Sequence, residues 1–171
     1  MFQEGDLIIY GNDGVCRVEE ICKLNMSGID DNRLYYVLKP LYVEGKIYAP
    51  TETNAFMRKI ISYEFAQQLI EQIPSIEVEV FNSNRMQEIN DHYRSSFKTH
   101  DCEDLMKLIK NVYVKKGIAE NNKKKLGKID ENYMKKAEDL LYGEFAAALK
   151  IPKENVKNYI EKRIEELEYI V

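Results

Sequence analysis

The stretch "GDLIIYGNDGVCRVEEI", residues 5–21, decides how the fold begins. Apolar and polar residues alternate up to Tyr10, the sequence GNDG at 11–14 interrupts them, and the alternation then resumes. A period of two is typical of a strand with one buried face, and Gly beside Asn or Asp favours a tight reversal. The stretch therefore predicts a β-hairpin. Its turn contains no nucleophile, no set of metal ligands and no phosphate-binding loop.

More short apolar segments follow the hairpin before residue 62, separated by Gly, Asn or Asp clusters. Pro40 and Pro50 lie at predicted strand ends, where the missing amide donor costs least. Five short strands close together predict a compact SH3-like or Tudor-like β-barrel, which removes most of its own sheet edges. The predicted strands cover residues 6–10, 15–23, 33–39, 46–50 and 57–60.

After Ser62 the apolar period changes to that of helices. Local capping rules give the helix ends, since Asp favours an N-terminus, Gly a C-terminus and Pro a first turn. The sequence thus predicts an α+β protein in which residues 1–62 form the barrel and residues 63–171 an all-helical domain. The first three predicted helices run from Phe65 to a stop at Pro74, over residues 85–98, and from a cap at Asp101 to Gly117. The last two begin at a cap at Asp130 and at Pro152. Residues 75–84 and 118–129 are predicted connections.

Charge is distributed unevenly along this acidic chain, whose net charge is −4. Residues 85–136 hold 13 Lys+Arg against 8 acidic residues, whereas residues 63–84 hold 4 acidic residues and no basic one. A phosphate-bearing partner could therefore meet one block and be repelled elsewhere. The alternative is that lysines near helix ends and in loops only favour the helix dipole and solubility. The lysines concerned are Lys115, Lys116, Lys123, Lys124, Lys125 and Lys128.

Catalytic and metal-binding groups are sparse in the sequence. His92 and His100 are the only histidines, and Cys102 lies near one of them without a second ligand pair. Neither a nucleotide-binding motif nor a nucleophile motif occurs. We therefore expect no enzyme, no metal and no cofactor. Three cysteines, the absence of a membrane-length apolar run and the start MFQEGD predict a cytoplasmic protein without disulfides.

Tyrosines are concentrated in the predicted barrel, at Tyr35, Tyr36, Tyr42 and Tyr48. Tyrosine gives a large contact area at low entropic cost, which suits a protein interface. In a small barrel, however, most tyrosines belong to the core. The edge of the strand at 46–50 could still pair with a strand of a partner.

The order of several stretches resembles a known family. "FQEGDLIIYGNDGVCRVEEI" (2–21), "YYVLKPLYVEGKIYAPTETN" (35–54) and "MRKIIS" (57–62) resemble the RNA-polymerase-interacting module of CarD/CdnL proteins and transcription-repair coupling factors. "NRMQEINDHYRSSFKTHD" (84–101), "LIKNVYVKKG" (108–117) and "KKKLGKIDENYMKKAEDLLYGEFAAAL" (123–149) resemble the helical domain of the same family. The resemblance covers nearly the whole chain.

This resemblance implies an accessory bacterial transcription regulator without catalytic activity. We expect the protein to be a monomer. In the family, the Tudor-like module pairs with the β subunit of RNA polymerase. The helical module meets promoter DNA near the upstream edge of the melted region and stabilises the open complex. The implied polymerase-facing residues are Tyr35, Ile47, Tyr48 and Pro50. The implied DNA-facing residues are Arg85, Met86 and Arg94 with the six lysines above, and lysine contacts to phosphate should be weak, non-specific and salt-sensitive.

One departure concerns the Trp that well-known members place near the start of the helical module, against the DNA fork. This chain has no Trp, and the nearest apolar residues are Phe81 and Met86. Phe and Met also serve as DNA wedges in other proteins. The alternative function is a protein-interaction adaptor that makes no direct contact with DNA.

Overall fold

The computed structural model describes residues 1–169 and divides the chain into two compact units, Met1–Ile61 and Ser62–Val171. The first unit is an antiparallel five-stranded sheet and the second is helical. The predicted α+β class is confirmed. The closed SH3-like or Tudor-like barrel stays a prediction, because the strand pairing gives the linear order β4-β3-β2-β1-β5.

All five predicted strands are present, and no end is shifted by more than one residue. They are β1 (Leu7–Tyr10), β2 (Gly14–Lys23), β3 (Leu34–Pro40), β4 (Ile47–Pro50) and β5 (Met57–Lys59). The hairpin pairs Tyr10 with Gly14, and Gly11 (φ 47°) and Gly14 (φ 79°) take the left-handed backbone that the reversal requires. The Asp13 N–H donates to the Tyr10 carbonyl at 2.9 Å.

One face of the sheet carries a cluster of fully or nearly fully buried side chains. Because side chains alternate between faces, every second residue of β1, β2 and β3 contributes to it up to the register shift between Val18 and Glu20. Burial raises the pKa of the Cys16 thiol in this cluster to about 11, which leaves it protonated at neutral pH. The cluster consists of Ile8, Cys16, Val18, Tyr36, Leu38 and Ala49.

The helical unit contains five α-helices and two short 3-10 helices in its described part. The α-helices are α1 (Tyr63–Gln72), α2 (Met86–Phe97), α3 (Cys102–Asn121), α4 (Lys128–Leu149) and α5 (Val156–Glu168). The Ser62 hydroxyl accepts the Phe65 N–H at 3.1 Å and so caps α1. Helix α4 packs against α1, α2, α3 and α5, and its Phe145 is fully buried.

Three predicted helix ends are wrong. Helix α3 continues past Gly117 to Asn121, so glycine sits inside the helix at a propensity cost of about 1 kcal/mol relative to alanine. Helix α4 begins at Lys128 with Gly127 at the N-cap, and Asp130 lies buried in the first turn. Pro152 precedes a 3-10 helix, Lys153–Asn155, rather than opening α5. The connection predicted at 118–129 therefore shrinks to 122–127.

Candidate interaction surfaces

Strand β4 is a terminal strand of the sheet and pairs with β3 alone. Its register matches Tyr36 with Ala49 and Val37 with Tyr48, and the Thr51 N–H donates to the Leu34 carbonyl at 3.0 Å. Hydrogen-bonded pairs alternate along an antiparallel ladder. The Ala49 pair is therefore bonded, whereas the N–H and C=O of Tyr48 and the C=O of Pro50 point away from β3. The Pro50 carbonyl already accepts the Thr53 N–H at 3.1 Å, so this free edge offers one donor and one acceptor to another strand, both from Tyr48.

The structure brings together three of the four predicted polymerase-facing residues. Tyr35 lies directly opposite Pro50 in the ladder, and Tyr48 lies two positions before Pro50 on the same face. The side chain of Tyr48 is 43 % exposed, Pro50 is half-buried and Tyr35 is buried. Tyr48 is therefore the large accessible group of this face.

Ile47 lies on the opposite face of β4 from this group. It packs against the buried cluster that contains Leu38, its partner across the ladder. The strict alternation of side chains along a strand explains the separation. The alternation of "KIYAP" in the sequence carried the signal that Ile47 and Tyr48 cannot share one surface. Ile47 can therefore stabilise β4 through the buried cluster, but it does not contribute to the surface that Tyr48 exposes.

An exposed basic corner lies where α3 turns into α4. The Lys123 backbone is left-handed, with φ 57°, and the Lys124 N–H donates to the Ala119 carbonyl at 2.8 Å, which closes the turn. Lys128 forms one weak exposed pair with Glu131 at 3.6 Å. The turn thus projects several ammonium groups into solvent. The basic corner consists of Lys116, Lys123, Lys124, Lys125 and Lys128, all exposed.

Lys115 does not belong to this corner, although the sequence predicts it to be one of the DNA-facing lysines. Its side chain is 16 % exposed, and its Nζ donates to Asp130 Oδ1 at 2.9 Å and to the Phe81 carbonyl at 3.0 Å. The Tyr93 hydroxyl donates to the same carboxylate oxygen. An ammonium held by these acceptors inside the protein cannot neutralise a phosphate. Lys115 is therefore removed from the predicted DNA-facing set.

The carboxylate of Asp130 is the centre of a buried polar network that joins α2, α3 and α4. Burial and the adjacent Asp130 raise the pKa of the Tyr93 phenol. Gly127 lies so close that a Cβ at this position would stand 2.9 Å from Asp130 Oδ2. Glycine at the start of α4 thus leaves room for the carboxylate. Sequence reasoning missed this network, and the pattern GKID indicated only a helix start.

The other predicted DNA-facing residues lie on α2, beside the start of α4. The Tyr133 hydroxyl of α4 donates to Asn90 Oδ1 of α2 at 3.0 Å, which fixes the two helices against each other. Arg85 forms an exposed pair with Glu88 at 3.5 Å, and Arg94 is exposed. Met86, the first residue of α2, is 66 % exposed.

Phe81 and Met86 differ in their surroundings. The Phe81 ring stacks on His92 with centroids 4.1 Å apart and an interplanar angle of 10°. Burial, followed by the nearby Lys115, lowers the pKa of His92, so the stacked imidazole is held neutral. Phe81 therefore anchors the segment before α2. Met86 is the apolar side chain that remains available to a ligand.

The described residues hold no cluster of side chains placed to bind a metal ion. Within residues 1–169, no group of three or more His, Cys, Asp or Glu side chains is placed to bind a metal. The Cys102 thiol donates to a buried Glu144 oxygen at 3.1 Å, so it is a packed core group. Over the same residues, none of the helices combines the length and apolar character that crossing a membrane requires.

Comparison with known proteins assigns the sheet unit. Residues 2–61 match the family model described as the CarD-like/TRCF RID domain. A search of curated proteins found no match. Domains of the matched family mediate protein interactions, and the match suggests an interaction with RNA polymerase. The matched range ends where the sheet unit ends. Residues 2–61 are therefore similar to the CarD-like/TRCF RID domain, and the match covers the sheet unit alone.

Proposed function

We propose that this protein is an accessory bacterial transcription regulator that docks on the β subunit of RNA polymerase through the free edge of β4. The helical unit then contacts promoter DNA near the upstream edge of the melted region and modulates the stability of the open complex. The observation that carries the proposal is the unpaired edge of β4 within the matched RID domain, with the exposed Tyr48 beside it.

Docking by strand addition fits this edge. A partner strand would accept the Tyr48 N–H and donate to the outward Tyr48 carbonyl. Main-chain hydrogen bonds provide affinity in this mode, and side chains on alternate positions provide specificity. The accessible Tyr48 ring next to Pro50 supplies the aromatic contact that protein interfaces favour.

Contact with DNA rests on the basic corner and on the exposed face of α2. Lysines neutralise phosphates without reading bases, so this contact is weak and depends on salt. Arg94 adds an exposed cation on α2, and Met86 beside Arg85 is placed to act as an apolar wedge. Docking on polymerase would raise the effective concentration of the helical unit at the promoter, which would compensate for the weakness of its contact with DNA. The net charge of −4 would discourage binding to bulk DNA.

The docking step is tested by Tyr48→Glu, which places a charge at the centre of the proposed interface. Val43→Glu is the matched control, because Val43 is 69 % exposed and lies outside β4. We expect Tyr48→Glu to weaken binding to the isolated outer lobe of the β subunit by about 30-fold or more, as for a hot-spot residue. Unchanged affinity of a folded Tyr48→Glu protein would overturn the docking proposal.

The DNA step is tested by the triple variant Lys123→Glu, Lys124→Glu, Lys125→Glu. Its charge-matched control reverses three exposed lysines elsewhere, Lys107, Lys150 and Lys162. We expect the first triple variant to shorten the lifetime of the open complex and to flatten its salt dependence, with binding to the β lobe retained. Equal lifetimes for both variants would favour the alternative, a protein-interaction adaptor without direct DNA contact.

A further inference from the structure

A groove of about 560 Å³ lies on the helical unit, between α3 and α4, with α5 along part of it. All of its lining residues belong to the helical unit, and it shares only Lys116 with the basic corner. Its floor is apolar and includes Met106 and Leu141, both buried in the core beneath. Methionine in such a floor adapts to the shape of a bound side chain, which is typical of peptide-binding surfaces.

The two walls present their side chains at helical spacing. Met106, Ile109 and Tyr113 follow one another at i, i+3 and i+7 on α3, and Met134 and Leu141 lie seven residues apart on α4. The α3 wall from residue 106 to residue 116 is about 15 Å long at 1.5 Å per residue. Two such rows of apolar side chains can pack against a third helix of about three turns, whose own apolar side chains lie at i, i+3 or i+4, and i+7.

Positive charge prevails along the rim, where four lysines face three glutamates. Lys110 is held by the carbonyls of Ile73, Pro74 and Ile76, at 2.8, 3.0 and 2.8 Å. One of the glutamates, Glu131, pairs with Lys128 outside the groove. The rim lysines that form neither an ion pair nor a hydrogen bond to a carbonyl within residues 1–169 are Lys116, Lys135 and Lys157.

Glu138 stands half-buried between these lysines. Burial raises the pKa of its carboxyl group, against the opposing effect of Lys157 and Lys116. Burial likewise raises the pKa of the neighbouring Tyr142 phenol to about 12. The part of the groove lined by Glu138 and Tyr142 therefore disfavours charged groups.

We propose that this groove binds an amphipathic helix of a partner protein, with an apolar stripe that faces α3 and α4 and acidic residues on its flanks. The helical walls expose no strand edge, so strand addition does not apply here. The apolar stripe fits the floor, and the acidic flanks reach Lys116, Lys135 and Lys157. The exposed Tyr113, 69 % accessible, closes over one side of the bound helix. This contact is a second docking surface, separate from the β4 edge.

The test uses the full chain and a lactam-bridged helical peptide of about 14 residues, with Leu at i, i+3 and i+7 and Glu on both flanks. Two control peptides accompany it: one with the same residues in scrambled order, and one with Lys in place of Glu. Binding is measured by titration in ¹H–¹⁵N correlation spectra. We expect saturable shifts at the amides of Ile109, Tyr113 and Met134 with the first peptide, and at least tenfold weaker binding of both controls.

Variants of the protein distinguish binding in the groove from effects on folding and on the contact with polymerase. Ile109→Glu changes a half-buried groove residue and should weaken binding of the peptide at least tenfold. Lys135→Glu with Lys157→Glu should weaken it more than Lys123→Glu with Lys124→Glu, which carry the same charge change outside the groove. Neither groove variant should alter binding to the β lobe.

Three outcomes would overturn the proposal. In the first, the scrambled peptide binds as tightly as the amphipathic one. In the second, Ile109→Glu leaves the affinity unchanged. In the third, decyl phosphate alone shifts the groove amides and the peptide does not, in which case the groove binds small anionic amphiphiles.

Discussion

The sheet unit and the helical unit build their candidate surfaces in different ways. The docking edge of β4 is a property of the backbone, since the ladder with β3 fixes which N–H and C=O groups point outward. The basic corner is a property of side chains, and a buried network around Asp130 holds the helices that carry it. Side-chain substitutions leave the backbone groups of the first surface in place, whereas the helices that carry the second meet around the buried Asp130 carboxylate.

Two neighbouring lysines show what this difference teaches. Lys115 is largely shielded from solvent and bound to Asp130 and the Phe81 carbonyl, whereas Lys116 is exposed at the next position of α3. A helix turns about 100° per residue, so adjacent residues can have unrelated surroundings. Sequence charge counts treat the two alike. Only one of them can meet a phosphate.

The largest effect should come from Asp130→Ala, which breaks the network of the helical unit. It leaves the Lys115 ammonium buried without its counterion, and we expect a loss of about 3–5 kcal/mol in the free energy of unfolding. Glu131→Ala is the control, because its pair with Lys128 is exposed and worth under about 1 kcal/mol. Urea denaturation followed by circular dichroism measures both. Similar losses in the two variants would show that the network does not hold the helices.

In the sheet unit the corresponding test is a substitution that creates a cavity in the core. Leu38→Ala empties a fully buried position of β3, and we expect a loss of about 3 kcal/mol. Leu34→Ala, on the same strand but 42 % exposed, should cost under about 1 kcal/mol. Hydrogen exchange of the β3 amides should accelerate in the first variant alone. A smaller loss in Leu38→Ala than in Leu34→Ala would contradict the packing described for this face.

A smaller effect is expected from Lys110→Met, which keeps the aliphatic stem and removes three hydrogen bonds to carbonyls of residues 73, 74 and 76. Charged hydrogen bonds of this kind suggest a loss of about 1.5–3 kcal/mol. Lys107→Met, one turn earlier and exposed, serves as the control. Thermal unfolding compares the two. Equal melting temperatures would mean that Lys110 does not hold the end of α1 in place.

The smallest effect is a pH dependence from His92. Its pKa is lowered in the folded protein, so acid favours the unfolded state, and this contribution to stability is complete above pH 6.5 and is lost as pH falls below it. His92→Phe keeps a ring for stacking on Phe81 and removes the titration. Melting temperatures at pH 7.5 and 5.5 should differ less in this variant than in the parent. His100→Asn should retain the parental difference, and loss of the difference there would contradict the assignment.

The strands could be predicted because their evidence is local. Alternation, turn residues and terminal prolines lie within ten residues of each strand, and all five were located. The helix ends at Gly117 and Asp130 were mistaken because capping rules consider one turn of chain, while tertiary packing extends α3 and draws Asp130 inward. Ile47 was grouped with Tyr48 because the resemblance gave a motif position and no face.

By itself the sequence determined the α+β order, the strand pattern and the location of the basic block, since these follow from periodicity and composition. Only the tertiary structure decided which lysines are free, which apolar residue near α2 stays exposed and which face of β4 carries Tyr48. The physical reason is that exposure depends on partners distant in sequence. Asp130 and Lys115 acquire their roles only when α3 and α4 meet.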